Sequence, residues 1–411
     1  MSVTFKHAVL ANGLTVIAEV MPSAHSAAAG FFVKTGARDE PSELMGVSHF
    51  LEHMMFKGTE RRTAADVNRE FDEIGANYNA YTSAELTCFY ASVLPDMLEQ
   101  SVDILGDIMR PSLRKDDFDM EKSVILEEIA MYGDVPFWNL YERAIEEYYG
   151  KHPLHHRVLG TNQTITDLKV EQMRSYFNER YSADNITVAL AGKLDFDTVV
   201  KQLDQVCGHW EPTGVTRDNA RMQTNSNELI MQDAKVHRGY LLMVAPGPAY
   251  DDPRRYAASL LMRVLGLPGN SRLHWALIDN GLAEEAACDL DARDGCGDYY
   301  VYASGDPDRL DKIERVVREE LAMLGQSISE ADLDKLRNKL ALEVTTAGER
   351  PGGRMQRLGR DWTYLEQHLP LEKELARLNA VTLDDVKGVL KDFPFDKALV
   401  GRLLPEAVAA E

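Results

Sequence analysis

The chain has 411 residues, 45% of them hydrophobic and 27% charged, and carries a formal net charge of −21. Such a length exceeds what one core usually serves and predicts two or more domains, while the composition excludes wholesale disorder. The negative charge argues against a nucleic acid duplex or an anionic membrane as partner, and gives at most a slight preference for cationic peptides.

The N-terminal stretch MSVTFKHAVLANGLTVIAEV lacks the basic and apolar regions of a leader, and no run of about 18 apolar residues follows anywhere. A cytoplasmic protein without a membrane span is expected. Val9 to Val16 and Ala27 to Val33 read as strands, with Asn12-Gly13 as a turn signal. A helix is expected from Glu43 to Phe56, closed by Lys57-Gly58, and another from Ala64 to Ile74, ended by Gly75. Ala76 to Val93 returns to strand character. Helical patterns cover Asp96 to Met109, Lys115 to Met131, the stretch on to Tyr149, and Thr164 to Tyr181. Asn185 to Ala191 reads as a buried strand and Asp195 to Cys207 as a helix.

Residues 212–228 are polar and predict a linker between domains at 1–211 and 229–411. The second half reads as built on the plan of the first. Gly239 to Ala245 matches Gly30 to Thr35, Tyr299 to Gly305 matches Phe89 to Val93, and Ser329 to Val344 matches Lys115 to Ile129. Arg255 to Leu265 supplies an apolar helix where the first half has a histidine-bearing one. The expected class is α+β: two homologous αβ domains, each a mostly antiparallel sheet with helices on one face, together forming half of a clamshell. Four cysteines, Cys88, Cys207, Cys288 and Cys296, form no CxxC pair and read as free thiols in a reducing compartment.

The chemistry centres on His49-Phe-Leu-Glu52-His53. On a helix, positions four apart share a face, so His49 and His53 project together, and Glu52 borders that face. Two imidazoles suit Zn²⁺, and a carboxylate beside them can take a proton from water held there. A catalytic zinc site needs a third protein ligand. Glu121 and Glu128 lie seven apart in DFDMEKSVILEEIAMY, two turns along one helical face. Glu128 is the expected ligand and Glu121 the carboxylate that steadies an imidazole. Val124 and Ile125 are read on the same side. Glu127 points about 100° away and is the alternative if the register slips.

HFLEH followed by FKGT and EKSVILEEI resembles the pitrilysin–insulysin and mitochondrial processing peptidase family of zinc peptidases. The span from His53 to Glu128 matches that family's motif spacing, and the likeness runs from ANGLTVIAE into the C-terminal half. It is closest to the short bacterial members and the processing-peptidase catalytic subunit. The resemblance implies one Zn²⁺ per chain held by His49, His53 and Glu128, with Glu52 as general base and Glu121 supporting. It also implies that Gly75 to Ser83 is an edge strand to which an extended peptide adds, with Asn79 and Ala80 contacting its backbone.

Self-sufficient relatives also carry an Arg and a Tyr, seven apart, in the C-terminal domain to stabilise the oxyanion. In the matching stretch here the SRL and GLA segments put Leu277 and Glu284 at those positions, and neither can do that work. Arg293 and Tyr300 share the spacing but lie later, in what reads as a hairpin, and are taken as coincidence. The implied function is a zinc endopeptidase acting on extended or unfolded peptides as the metal-bearing subunit of a heterodimer, its homologous partner supplying Arg and Tyr. A self-sufficient homodimeric peptidase and a non-catalytic scaffold subunit are the rival readings. The cluster His152, His155 and His156 in KHPLHH reads as a structural or cleft-rim loop before a metal tract.

Overall fold

A turn that needs a left-handed residue opens the fold: β1 (Thr4–Val9) and β2 (Thr15–Val20) pair antiparallel across Asn12-Gly13, where Gly13 takes φ 90°. The computed structural model describes residues 3–218 and 224–406, so positions 219–223 of the expected linker lie outside the described residues. β3 (Ala27–Val33) is buried along its whole length and leads to α1 (Val47–Met55), which carries the histidines. α2 (Ala64–Glu73) precedes the hairpin of β4 (Asn77–Thr82) and β5 (Thr87–Val93). Then come α3 (Leu98–Ile108), α4 (Lys115–Gly133), α5 (Pro136–Tyr149), α6 (Asn162–Asp167), α7 (Val170–Arg180), β6 (Ile186–Gly192) and α8 (Phe196–Cys207).

The second half runs β7 (Glu228–Asp233), β8 (Gly239–Gly247), α9 (Arg255–Gly266), β9 (Glu285–Ala292), β10 (Gly297–Gly305), α10 (Leu310–Ser327) and α11 (Glu330–Glu349). It closes with α12 (Pro351–Leu365), α13 (Leu371–Asn379), α14 (Leu383–Asp392) and β11 (Leu399–Pro405). One sheet has the order β1-β2-β6-β3-β5-β4 and the other β7-β11-β8-β10-β9. Pairing is antiparallel except between β2 and β6 and between β7 and β11.

Packing divides the chain into a first unit of Met1–Ile129, His156–Asp218 and Thr345–Pro370, and a second of Ala130–His155, Asn219–Val344 and Leu371–Glu411. Helices therefore cross between sequence halves. In the first unit the main core joins Val16, Phe31, Phe89 and Val188 of the sheet to Phe50, Leu105, Ile125, Phe177 and Leu203 of the helices. The opposite face is not open. Ile17, Phe32, Cys88 and Ala189 pack against Met355 and Leu358 of α12, a helix from the second half of the sequence. A Cβ on Gly359 would stand 2.1 Å from the Phe32 ring, so glycine there lets α12 lie close. In the second unit α9, α10 and α14 share one core with β8 and β10. α5, from the first half, packs against β8 and β11, where a Cβ on Gly401 would come within 3.1 Å of Leu140. This exchange has no signature in hydrophobic periodicity, which gives a helix's apolar face and not its partner.

α12 is also held by charge. Glu19 on β2, 1% exposed, accepts hydrogen bonds from Arg354 (2.7 Å), His368 (3.0 Å) and Arg357 (3.3 Å). Burial alone pushes its carboxyl up, but the bonds from His368 and Arg354 and the two guanidinium charges outweigh it, and Glu19 stays below the usual range. A depressed acid contributes stability above its unfolded value and loses it as pH falls below. Glu19→Gln is expected to cost about 3 kcal/mol at neutral pH, since it leaves buried cations without their partner. Thermal melts should show the gap to wild type closing as pH drops below about 4.3.

Candidate metal and peptide site

α1 begins where the chain forces it to. The sequence reading started this helix at Glu43, but Gly46 takes φ 95° and the α-helix starts at Val47. A Cβ on Gly46 would meet the Leu159 carbonyl at 2.6 Å, so no other residue fits the turn. The buried Glu40 carboxylate accepts from Gly46 N and Ser48 N, both at 2.7 Å, in place of a local cap. Burial pushes the Glu40 carboxyl up to about 8, against the pull of those backbone bonds.

Packing then brings α4 to the histidines. Phe50 of α1 stacks on Phe118 of α4 with ring centroids 4.7 Å apart and planes within 10°. Ile125, one turn before Glu128, is fully buried in the same core, whereas Val124 is exposed. The outcome is a group of three possible ligands: His49, His53 and Glu128 each offer an atom, all within 4.8 Å of one another. Glu128 Oε2 lies 3.8 Å from His49 Nε2 and 3.7 Å from His53 Nε2. Glu127 is exposed and outside the group.

The electrostatics suit a cation. Burial, and then the neighbouring His53 charge, lower His49 to about 3, so its imidazole is neutral and its nitrogen lone pair available. His53 shifts the other way. Burial pulls it down, but the 2.9 Å bond from its Nδ1 to Glu121 Oε1 and the charges of Glu121, Glu128 and Glu52 raise it above its ordinary value. Because that bond uses Nδ1, Nε2 is the nitrogen turned toward Glu128. Glu121, 5% exposed, also meets the Lys57 ammonium at 2.5 Å. Its burial is outweighed by His53 and Lys57, and its carboxyl stays below the usual range. Two nitrogen donors, one carboxylate and an oriented imidazole fit Zn²⁺ in chemistry and spacing.

Glu52 lies beside this group. Burial raises its carboxyl, an effect Glu128 reinforces and Thr82 and His53 oppose. Its Oε2 accepts the Thr82 hydroxyl at 2.6 Å. Thr82 ends β4, the outer strand of its sheet, and Asn79 and Ala80 lie on that same edge, Asn79 exposed and Ala80 partly buried. Sequence reasoning missed Thr82, Lys57 and Glu40. Strand alternation puts Thr82 on the face of Ala80, so it had a signal, whereas Lys57 reaches Glu121 from the turn beyond the end of α1. Glu40 had none, because its role depends on how the loop folds back.

Leu277 is buried in the core of the second unit, and Glu284 pairs with Arg238 at 2.7 Å. Arg293 is tied to Asp291 and Asp298, each at 3.1 Å, and Tyr300 sits in an aromatic cluster with Phe137 and Tyr141. His156 bonds the Ala37 carbonyl and Ser42, and His155 the His152 carbonyl, so these rings hold loops.

Comparison with known proteins gives a consistent answer. The family model described as insulinase (peptidase family M16) matches residues 15–162, and that described as the peptidase M16 inactive domain matches 167–340. An uncharacterized zinc protease of Streptomyces coelicolor is 30% identical, over 95% of this chain and 87% of its own length. Another, of Mycobacterium tuberculosis, is 32% identical over 93% and 89%. Among solved structures, a protease from Helicobacter pylori superposes with a TM-score of 0.92 at 20% identity, covering 98% of this chain and 100% of that one.

Zinc titration checks the ligand set. Glu128→Gln should abolish tight binding, Glu127→Gln should bind as wild type, and Glu121→Gln should weaken affinity about 10- to 100-fold. Affinity should fall as pH is lowered through neutrality, because a proton on His53 competes with the metal.

Proposed function

The chain belongs to the insulinase family, peptidase family M16, and we propose that it is a zinc-dependent endopeptidase of extended peptides, the metal-bearing subunit of a heterodimer. The observation that carries this reading is the approach of His49, His53 and Glu128 donor atoms to within 4.8 Å, next to a carboxylate anchored on an edge strand. His49, His53 and Glu128 are assigned as the ligands of one zinc. When bound, zinc supplies Lewis acidity, bringing the pKa of water toward neutral and polarising the attacked carbonyl.

The chain's own groups do the rest. Glu52 takes the proton released as water attacks and returns it to the leaving amine, so an O–H bond breaks and an N–H bond forms with no net consumption of base. Its raised carboxyl suits a group that must both accept and donate. Glu121 holds His53 in the tautomer that turns Nε2 inward. Asn79 and Ala80 on β4 offer backbone groups to an added peptide strand, which favours extended chains over folded domains.

The oxyanion side is incomplete. The positions expected to supply Arg and Tyr are a buried Leu277 and an ion-paired Glu284. A homologous subunit bearing those groups is the partner we infer. Among the described residues no helix is long and apolar enough to cross a membrane, and sparse cysteines without a CxxC pair favour a reducing compartment, for which the cytoplasm is our assignment.

Reconstitution tests this. The isolated chain should cleave an unfolded peptide slowly, and adding the homologous subunit should raise the rate at least about 10²-fold, the worth of an oxyanion donor. Glu52→Gln should lose about 10²- to 10⁴-fold in kcat while keeping its zinc. Full activity of the chain alone would favour the homodimer, and inactivity of every combination the scaffold.

A further inference from the structure

The proposed base is held by a residue of the strand proposed to receive the peptide. Glu52 has three side-chain torsions, and a half-buried carboxylate on so flexible an arm needs something to fix it. Among the described residues the hydrogen bond it receives comes from Thr82 Oγ1, to Oε2 at 2.6 Å. A hydroxyl on a carboxylate is a charge-assisted bond, stronger than a neutral one. Thr82 is itself well located. It pairs with Thr87 across the β4–β5 ladder, so its backbone position is set by the sheet. Thr82 also lies on the same face of β4 as Tyr78, whose ring stacks on Phe71 with centroids 4.1 Å apart.

We propose that Thr82 is the positioning residue for the general base: its hydroxyl fixes one carboxylate oxygen of Glu52 and leaves the other to carry the proton. The idea rests on the peptidase reading above. It adds a link between binding and chemistry, since Thr82 stands two residues beyond Ala80 on the strand proposed to receive the peptide and holds the base on α1. Thr82 is not catalytic itself; it acts through Glu52.

The test uses the full chain with its partner subunit and compares Thr82→Val, which keeps the shape without the hydroxyl, with Thr82→Ser, which keeps the hydroxyl. The expected result is a loss of kcat of about 10²-fold for Thr82→Val, with KM and zinc content unchanged. Thr82→Ser should recover to within several-fold of wild type. Equal kcat in Thr82→Val and wild type would overturn the proposal, as would a Thr82→Ser variant no better than Thr82→Val. A second measurement needs no turnover. Melting temperatures of Thr82→Val, Glu52→Ala and the double variant should fail to add, and strict additivity would overturn the contact. If wild type proves inactive with every partner, the peptidase reading fails, and the melting cycle still decides whether Thr82 holds Glu52.

Discussion

Three carboxylates, Glu52, Glu121 and Glu128, gather around two imidazoles in a half-buried setting, and that excess of negative charge is the constraint on which the first unit is organised. Lys57 answers one of them, at Glu121. The charges of Glu121, Glu128 and Glu52 raise His53, while burial lowers its neighbour His49. A divalent cation held by His49, His53 and Glu128 would offset the same negative charge. The scaffold around the group is correspondingly stiff: Phe50 stacked on Phe118 fixes α1 against α4, and the Glu40 cap fixes where α1 starts.

β4 lies beside this group, joined to it by the Thr82–Glu52 bond. An outer strand with open backbone groups is a liability that proteins usually cover or charge. Here Asn79 is exposed on that edge while Tyr78 and Ala80 pack inward, so the strand is firmly seated and its outer side remains available. A firm seat is what a peptide-receiving edge requires, since affinity falls if the receptor strand must be ordered at the moment of binding.

How far the sequence carried this depends on the range of the interaction. His49, His53 and Glu52 were legible because helical spacing fixes which side chains share a face, and Glu121 with Glu128 for the same reason on α4. The α+β class followed from alternating strand and helix periods, and it holds. What could not be read were long-range choices. The helix expected from Glu43 begins at Val47, because Gly46 adopts a left-handed turn under the Leu159 carbonyl. The helix expected across Thr164 to Tyr181 is broken into α6 and α7 at Leu168. The sheets were expected to have helices on one face, and α12 and α5 supply a helix on the other, each from the opposite half of the sequence.

The second unit repeats the topology and spends it differently. α9 follows β8 as α1 follows β3, yet where α1 turns His49, Glu52 and His53 to the site, α9 buries Tyr256, Ala257, Leu260, Leu261, Val264 and Leu265. α9 carries no histidine, carboxylate or thiol, so it offers a metal no ligand. β9 takes the edge position that β4 holds in the first sheet, but α9 packs directly on it, and a Cβ on Gly266 would clash with Cys288 at 2.3 Å. One unit is therefore organised around charge and the other around packing. The asymmetry extends to Leu277, which sits in that packed core. Restoring an arginine there would bury an unpaired guanidinium, at several kcal/mol. A single substitution at Leu277 therefore places no usable cation in this packed core.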